Sequence, residues 1–265
     1  MQIFFIEEKK ASLLKRLFKP VELKDDTIIC NFLQKGPGPN CKNCKKILEA
    51  NNCNHVILSR KLKQNKEFVN YLLSSEINII QGRKLFKLLV NKIIEAVCLQ
   101  NNINPKKTVI SIVTNSNDEW VTSIIKTFSK KFKTLNIVTN NINYFKKIEN
   151  NLFEEDGTII IVTANKKKSL ANSKIIINVD FPQELINKFT IYENAIIINL
   201  EEQIKINKKR FSGKIINDYK ISFKKDSNIA NCLEDEKYMN FDIRDLAEVY
   251  LKNEPEELKN IIYLS

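Results

Sequence analysis

The sequence predicts an α/β protein in which an N-terminal α/β domain is joined by a long buried helix to a Rossmann-like doubly wound parallel sheet. Three observations carry this. Strand-like and helix-like segments alternate between residues 108 and 200 at the spacing of strand–helix–strand units. The strand segments, such as Ile175-Ile176-Ile177 and Ala195-Ile196-Ile197-Ile198, are almost unbroken β-branched runs, the pattern of strands covered on both faces. A chain of 265 residues, 43% hydrophobic and 28% charged, is also long enough for two cores.

In chain order, residues 2–7 read as a strand and 8–19 as a helix with Leu13, Leu14, Leu17 and Phe18 on one face, stopped by Pro20. Residues 27–33 form a second strand, ended by the turn Gly36-Pro37-Gly38-Pro39. A helix over 42–51, a strand over 55–59, a helix over 65–74 and a strand over 77–80 follow. Residues 83–100 are apolar on nearly every side (Leu85, Phe86, Leu88, Leu89, Val90, Ile93, Ile94, Val97, Leu99), as in a helix with several neighbours. Strands are then expected at 109–114, 135–139, 158–163, 174–179 and 195–200, and helices at 118–132 and 142–153. Beyond 205 the pattern weakens to a strand pair around Ser212-Gly213 and an amphipathic helix over 241–252, before Pro255. The expected divisions are an N-terminal domain with a Cys cluster at 1–82, a linking helix at 83–107, a Rossmann-like domain at 108–204 and a basic C-terminal extension at 205–265.

No apolar run approaches the ~20 residues that span a bilayer. The apolar start at residues 1–6 turns acidic at Glu7-Glu8, unlike an export signal, so the expected compartment is the cytoplasm, with no membrane partner. The formal net charge of +12 raises nucleic acid as a partner. Only five of the 43 basic residues are Arg (Arg16, Arg60, Arg83, Arg210, Arg244), and Lys, Asn and Ile are abundant throughout. Lys is a hydrated point charge, whereas guanine readout and base stacking favour Arg, so the charge points to composition before a nucleic-acid footprint.

The stretch from Lys174 (KIIINVDFPQELI) to Leu200 (NAIIINL), the strand–helix–strand at 108–140 and the apolar helix at 83–100 together resemble shikimate dehydrogenases and methylenetetrahydrofolate dehydrogenases. The resemblance covers residues 83–202 and implies a two-domain fold with NAD or NADP held at the carboxyl edge of the middle sheet. On that basis the cofactor-facing positions are Thr114, Asn115, Ser116, Asn117, Asn140, Asn141, Thr163 and Asp180. The sequence departs from the family at its first turn. Thr114-Asn115-Ser116-Asn117-Asp118-Glu119 has no Gly to admit a pyrophosphate, and it sets two acids in the first helical turn. Ser116 or Asn117 is a good helix cap. The second strand ends at Asn140-Asn141, without the acid or Arg that reads a ribose or its 2′-phosphate.

Cys41, Cys44, Cys53 and His55 offer four donors of the kind that hold a tetrahedral zinc ion. Cys41 and Cys44, placed beside Lys45-Lys46 at a helix start, are alternatively redox thiols of lowered pKa, and Cys30, Cys98 and Cys232 read as small core residues. Lys166-Lys167-Lys168 falls on the carboxyl edge, while Lys205, Lys208, Lys209 and Arg210 form the densest basic patch. The favoured reading is a binding or regulatory module that has lost the dinucleotide phosphate loop and takes a small-molecule or protein ligand at the carboxyl edge of the middle sheet. The alternatives are an NAD(P)-dependent oxidoreductase with an atypical loop, and a Lys-rich nucleic-acid-binding protein with a structural zinc.

Overall fold

The computed structural model describes residues 3–9, 12, 18–31, 39–201, 203–224, 236–251 and 258–264. Most of the helix expected at 8–19, with Leu13, Leu14 and Leu17, lies outside the described residues, as do Gly36, Pro37, Gly38, Cys232 and Pro255. The chain divides into two units, Met1–Leu85 with Ile221–Asn260, and Phe86–Lys220 with Ile261–Ser265.

The first unit holds a sheet of β1 (Phe4–Glu8), β2 (Val21–Lys24), β3 (Thr27–Cys30), β4 (His55–Leu58) and β5 (Asn78–Ile79), in the order β2-β3-β1-β4-β5. All its ladders are parallel except β2–β3, joined by a tight turn in which Asp25 has φ 51°. Alternate residues of a strand face opposite ways. Phe4, Ile6, Val56 and Leu58 therefore enter one core cluster, with Leu48 of α1 (Pro39–Ala50), Leu62 of α2 (Arg60–Lys63) and Phe68 and Leu72 of α3 (Lys66–Ser74). Phe5 and Ile57 enter a second cluster with Phe241 and with Leu246 of the C-terminal helix Ile243–Tyr250. The helix expected at 65–74 is preceded by α2 as a separate turn, because Ser59 and Asn65 each cap their own helix.

The apolar segment expected to form one helix over 83–100 is two helices, α4 (Arg83–Leu88) and α5 (Val90–Gln100). Leu89, at φ −84° and ψ 1°, sits in the bridge region rather than the helical well and interrupts it. Val90, Ile93, Ile94, Val97 and Cys98 of α5 are buried.

The second unit is a doubly wound parallel sheet of β6 (Val109–Val113), β7 (Thr134–Val138), β8 (Ile161–Thr163), β9 (Ile175–Asn178), β10 (Ile196–Asn199) and β11 (Lys214–Ile216). The order is β11-β10-β9-β6-β7-β8 and every ladder is parallel. This is the strand order of dinucleotide-binding folds, with the reversal of direction falling between β6 and β9. α6 (Glu119–Lys131) packs on β7 and α7 (Ile142–Asp156) on β8. Among the described residues the remaining crossings, 164–174, 181–195 and 201–213, carry a single helical turn, α8 (Gln183–Ile186). Backbone bonds tie them together, from Thr190 N–H to the Lys166 carbonyl (2.7 Å), Tyr192 to Leu170 (3.0 Å) and Ser212 to Glu193 (2.9 Å).

The strand pair expected around Ser212-Gly213 is not a hairpin. β11 is the sixth parallel strand, and β12 (Asp218–Phe223) pairs with β13 (Leu258–Leu264) in a separate two-stranded sheet. Gly213 brings its chain against the start of β10 so closely that a Cβ there would lie 2.0 Å from the Ala195 carbonyl oxygen. Among the described residues no helix is long and apolar enough to cross a membrane. Because backbone would have to move at Gly213, Gly213→Ala should lower unfolding free energy by about 2 kcal/mol in denaturant titration. An unchanged midpoint would contradict this packing.

Candidate functional site

The sequence-selected residues of the second unit meet at the carboxyl ends of its central strands. β6 ends into Thr114, whose amide bonds the Val138 carbonyl at 2.9 Å, so the turn that follows leaves from the reversal point of the sheet. There Asp180, two residues past β9, reaches across to this turn. Its carboxylate accepts the Asn115 amide on both oxygens at 2.9 Å, the Ser116 amide at 2.7 Å and the Thr114 hydroxyl at 3.2 Å. The Thr114 hydroxyl oxygen also accepts from the Ser116 amide at 3.0 Å.

The network continues toward β7. Asn115 Oδ1 accepts the Asn140 amide at 2.9 Å and the Thr139 hydroxyl at 3.4 Å, while the Asn141 amide donates to Thr139 Oγ1 at 2.9 Å. The Asn117 carbonyl accepts from the Tyr144 hydroxyl, and Thr163 Oγ1 caps the turn after β8 by accepting the Asn165 amide. Thr114, Asn115, Ser116, Asn140 and Asp180 thus form one hydrogen-bonded set, Asn117 and Asn141 border it, and Thr163 serves a separate turn. Ser116 and Asn117 do not cap α6; Asp118 holds that position without a side-chain bond. The reason is that the Ser116 hydroxyl is turned back, accepting the Asp118 amide at 3.2 Å.

On the other side of Asp180 lies a ladder that sequence reasoning missed. Asn178 Nδ2 donates to Asn199 Oδ1 at 2.7 Å, and Asn199 Nδ2 donates to Asn217 Oδ1 at 3.2 Å. Asn178 holds both the amide and the carbonyl of Phe181, and Asn217 both those of Ile204. The signal was present in the repeated Ile-Ile-Asn endings at 176–178, 197–199 and 215–217. Above this ladder is a pocket of about 440 Å³ lined by Asp180, Phe181, Pro182, Gln183, Glu184, Glu201, Gln203 and Ile204. Its charged lining residues are all acids, and Glu201 is ion-paired to Lys87.

The described cysteines of the first unit occupy its core. Cys41 and Cys44 are buried on α1, and Cys53 is buried with its thiol donating to the His55 carbonyl at 3.3 Å. The His55 ring lies 2.6 Å from Asn54 Oδ1. Among the described residues no group of three or more His, Cys, Asp or Glu side chains is placed to hold a metal ion. The nearest thiol to Cys44 is Cys30, at 3.5 Å, and this hydrogen bond together with burial raises the Cys44 pKa. At Cys44 the lowered pKa expected from neighbouring lysines is therefore reversed, since its sulfur is buried in the core beside Cys30.

A buried charge cluster in the first unit also escaped sequence reasoning. Asp245 is fully buried, ion-paired to Lys63, and among the described residues has no other polar partner. Burial pushes its carboxyl up to about 7 against the pull of Lys63. Neighbouring Asp242 is also desolvated, but hydrogen bonds from Arg244 bring it down to about 2. The helix-face pattern marks Asp245 in hindsight, because it stands four residues from both Phe241 and Val249 on the apolar side.

These features define a class, the doubly wound Rossmann-like α/β proteins. No family model and no curated protein sequence matches the chain. Solved structures similar to it include an L-tryptophan dehydrogenase from Nostoc punctiforme, at 7% identity and TM-score 0.35, covering 74% of this chain and 62% of that one. An ornithine carbamoyltransferase from Pyrococcus furiosus is 10% identical, with TM-score 0.32 and 93% and 80% covered. An anabolic ornithine carbamoyltransferase from Campylobacter jejuni is 12% identical, with TM-score 0.30 and 81% and 77% covered. The chain thus spans 62% of the dehydrogenase's length.

Two outcomes follow from this geometry. Asp180→Asn is isosteric, yet it turns an amide donor toward two backbone donors, so it should destabilise the protein by about 2 kcal/mol in denaturant titration. Asp245 holds its proton to higher pH when folded than when unfolded, so the native state binds more protons between the two pKa values. Stability from this group is full below about pH 4 and falls as pH rises to about 7, by about 4 kcal/mol in all. Denaturation midpoints measured across that range should decline, and Asp245→Asn should flatten the decline; an equally steep variant would refute the assignment.

Proposed function

We propose that this chain is a binding or regulatory module on a Rossmann-like frame, a degenerate relative of the two-domain shikimate and methylenetetrahydrofolate dehydrogenases that no longer uses the phosphate loop. One observation supports the reading above all: the Asn115 and Ser116 amides, which stand where a dinucleotide fold presents backbone donors to a pyrophosphate, are donated to Asp180. A pyrophosphate would have to displace a carboxylate tethered to β9 and then settle beside Asp118 and Glu119. The residues present do not fit that group.

The ligand of such a module belongs in the pocket over β9 and β10. Its volume of about 440 Å³ is within the usual range for small-molecule sites. Asp180, Glu184 and Glu201 disfavour an anion, while Gln183 and Gln203 add amide donors and acceptors. A neutral or cationic small molecule with several hydrogen-bonding groups suits this lining.

Calorimetric titration with NAD and with NADP should give no binding at sub-millimolar concentration, and saturable binding of either would overturn the reading. Asp180→Gly should free the two amides and confer weak binding of inorganic phosphate that the parent protein lacks.

A further inference from the structure

β8 is an edge strand of the second sheet. The Thr163 carbonyl accepts the Thr139 amide, so Thr163 faces β7 and the alternate residue, Val162, directs its own amide and carbonyl outward. Strand edges of this kind are commonly blunted by lysine, proline or a covering loop. Within the strand Ile161 is 47% exposed and Val162 is buried; in the segment that leads into it Ile159 is 73% exposed and Ile160 is buried. The chain enters this strand from Phe153, itself 60% exposed.

The charges that flank the strand in sequence are arranged by sign, with Glu155 also ion-paired to Lys126 at 3.8 Å. Glu154 and Glu155, at the end of α7, are exposed before it, and Lys166, Lys167 and Lys168 are exposed after it. Glu155 lies six residues before Ile161 and Lys167 six residues after; Glu154 and Lys168 are each seven away. A strand pairs with its own copy about a twofold axis only in the antiparallel sense. That sense sets the acidic approach of one copy against the lysine turn of the other, twice. Parallel stacking would oppose like charges instead.

We propose that β8 is a self-association edge, at which two copies of this chain join their sheets antiparallel about a twofold near Ile161. The paired backbones satisfy the outward groups of Val162, Ile159 and Ile161 lose solvent contact, and the glutamates and lysines fix the register. An acidic surface would suit the lysines alone, and a polyanion such as nucleic acid would be repelled by Glu154 and Glu155, so neither uses the whole arrangement.

The test is sedimentation velocity over a concentration series on the full chain and its charge variants. The parent should show a concentration-dependent dimer that weakens with added salt. E154K/E155K and K167E/K168E should each weaken self-association by about 10-fold or more, since each opposes like charges at both ends of the interface. The two variants mixed should form a heterodimer, and the quadruple variant should regain the parental affinity. Ile161→Lys, at an exposed site that leaves the monomer folded, should abolish the dimer. A parent that stays monomeric throughout, or charge variants that associate as the parent does, would overturn the proposal. Nucleic acid as the true partner would appear as E154K/E155K strengthening retention on a DNA column while self-association is unaffected.

Discussion

A carboxylate that accepts two backbone amides and a hydroxyl across the gap between parallel strands does two jobs. Asp180 ties the loop after β9 to the turn after β6, the two loops that splay apart at the reversal point of a doubly wound sheet. It also consumes the donors that this turn would otherwise aim at an incoming anion. Charge-assisted bonds of this type are each stronger than their neutral counterparts, so the loop pair is held at the carboxyl edge rather than left to open. The glycines of a phosphate loop exist to let a ligand approach the backbone. A chain that supplies its own carboxylate has no use for that freedom, and Thr114, Asn115 and Ser116 can carry side chains that brace the turn.

The bracing extends outward from Asp180 in both directions. Asn115 carries it to Asn140 and the end of β7, and the ladder Asn178, Asn199 and Asn217 carries it over β9, β10 and β11. Asn178 and Asn199 are fully buried, where an unpaired amide would cost several kcal/mol, at roughly 1–3 kcal/mol for each lost group. Each strand therefore ends at a position whose side chain must find the next strand's. Among the described residues the crossings 164–174, 181–195 and 201–213 carry only the single turn of α8, and they cover the strands with the buried side chains of Leu170, Phe181, Ile186, Phe189, Ile191 and Ile204. Side-chain bonds from strand to strand add to that packing at the strand ends.

The fold of the second unit was legible because its determinants are local. Runs such as 175–177 and 196–198 are β-branched and apolar without alternation, the pattern of strands covered on both faces. β11 was less legible, since Lys214-Ile215-Ile216 is short and follows a basic stretch; what admits it to the sheet is the close approach at Gly213, a tertiary fact. The site divides along the same line. The absence of glycine and the acids at Asp118 and Glu119 were visible in one turn. That Asp180, 65 residues from Asn115, fills the same place depends on strand order, which no local pattern reports. The thiols show the converse error. Spacing alone groups Cys41, Cys44, Cys53 and His55, but β3 brings Cys30 to Cys44 instead, and helical periodicity turns both α1 thiols into the core.

In a chain with 43 basic and 31 acidic residues, an exposed lysine is the default state of the surface and says little about function. The placement of the acids says more. Asp180, Glu184 and Glu201 line the pocket over the ends of β9 and β10, beside the turn after β6 where a Rossmann-like sheet ordinarily holds an anion, and Asp118 and Glu119 stand at the helix start that follows that turn. Against a basic background such a concentration sets carboxylates beside the place where the fold's usual ligand would carry its phosphates, Glu201 being paired to Lys87. A sheet that merely decayed from a dinucleotide site would lose its glycines and leave the amides to water. Here the amides are spoken for by a carboxylate, the flanking strands are locked by asparagines, and a pocket remains beside them. That combination is what the proposed binding module requires of this edge: a braced turn with its amides occupied, and a pocket beside it.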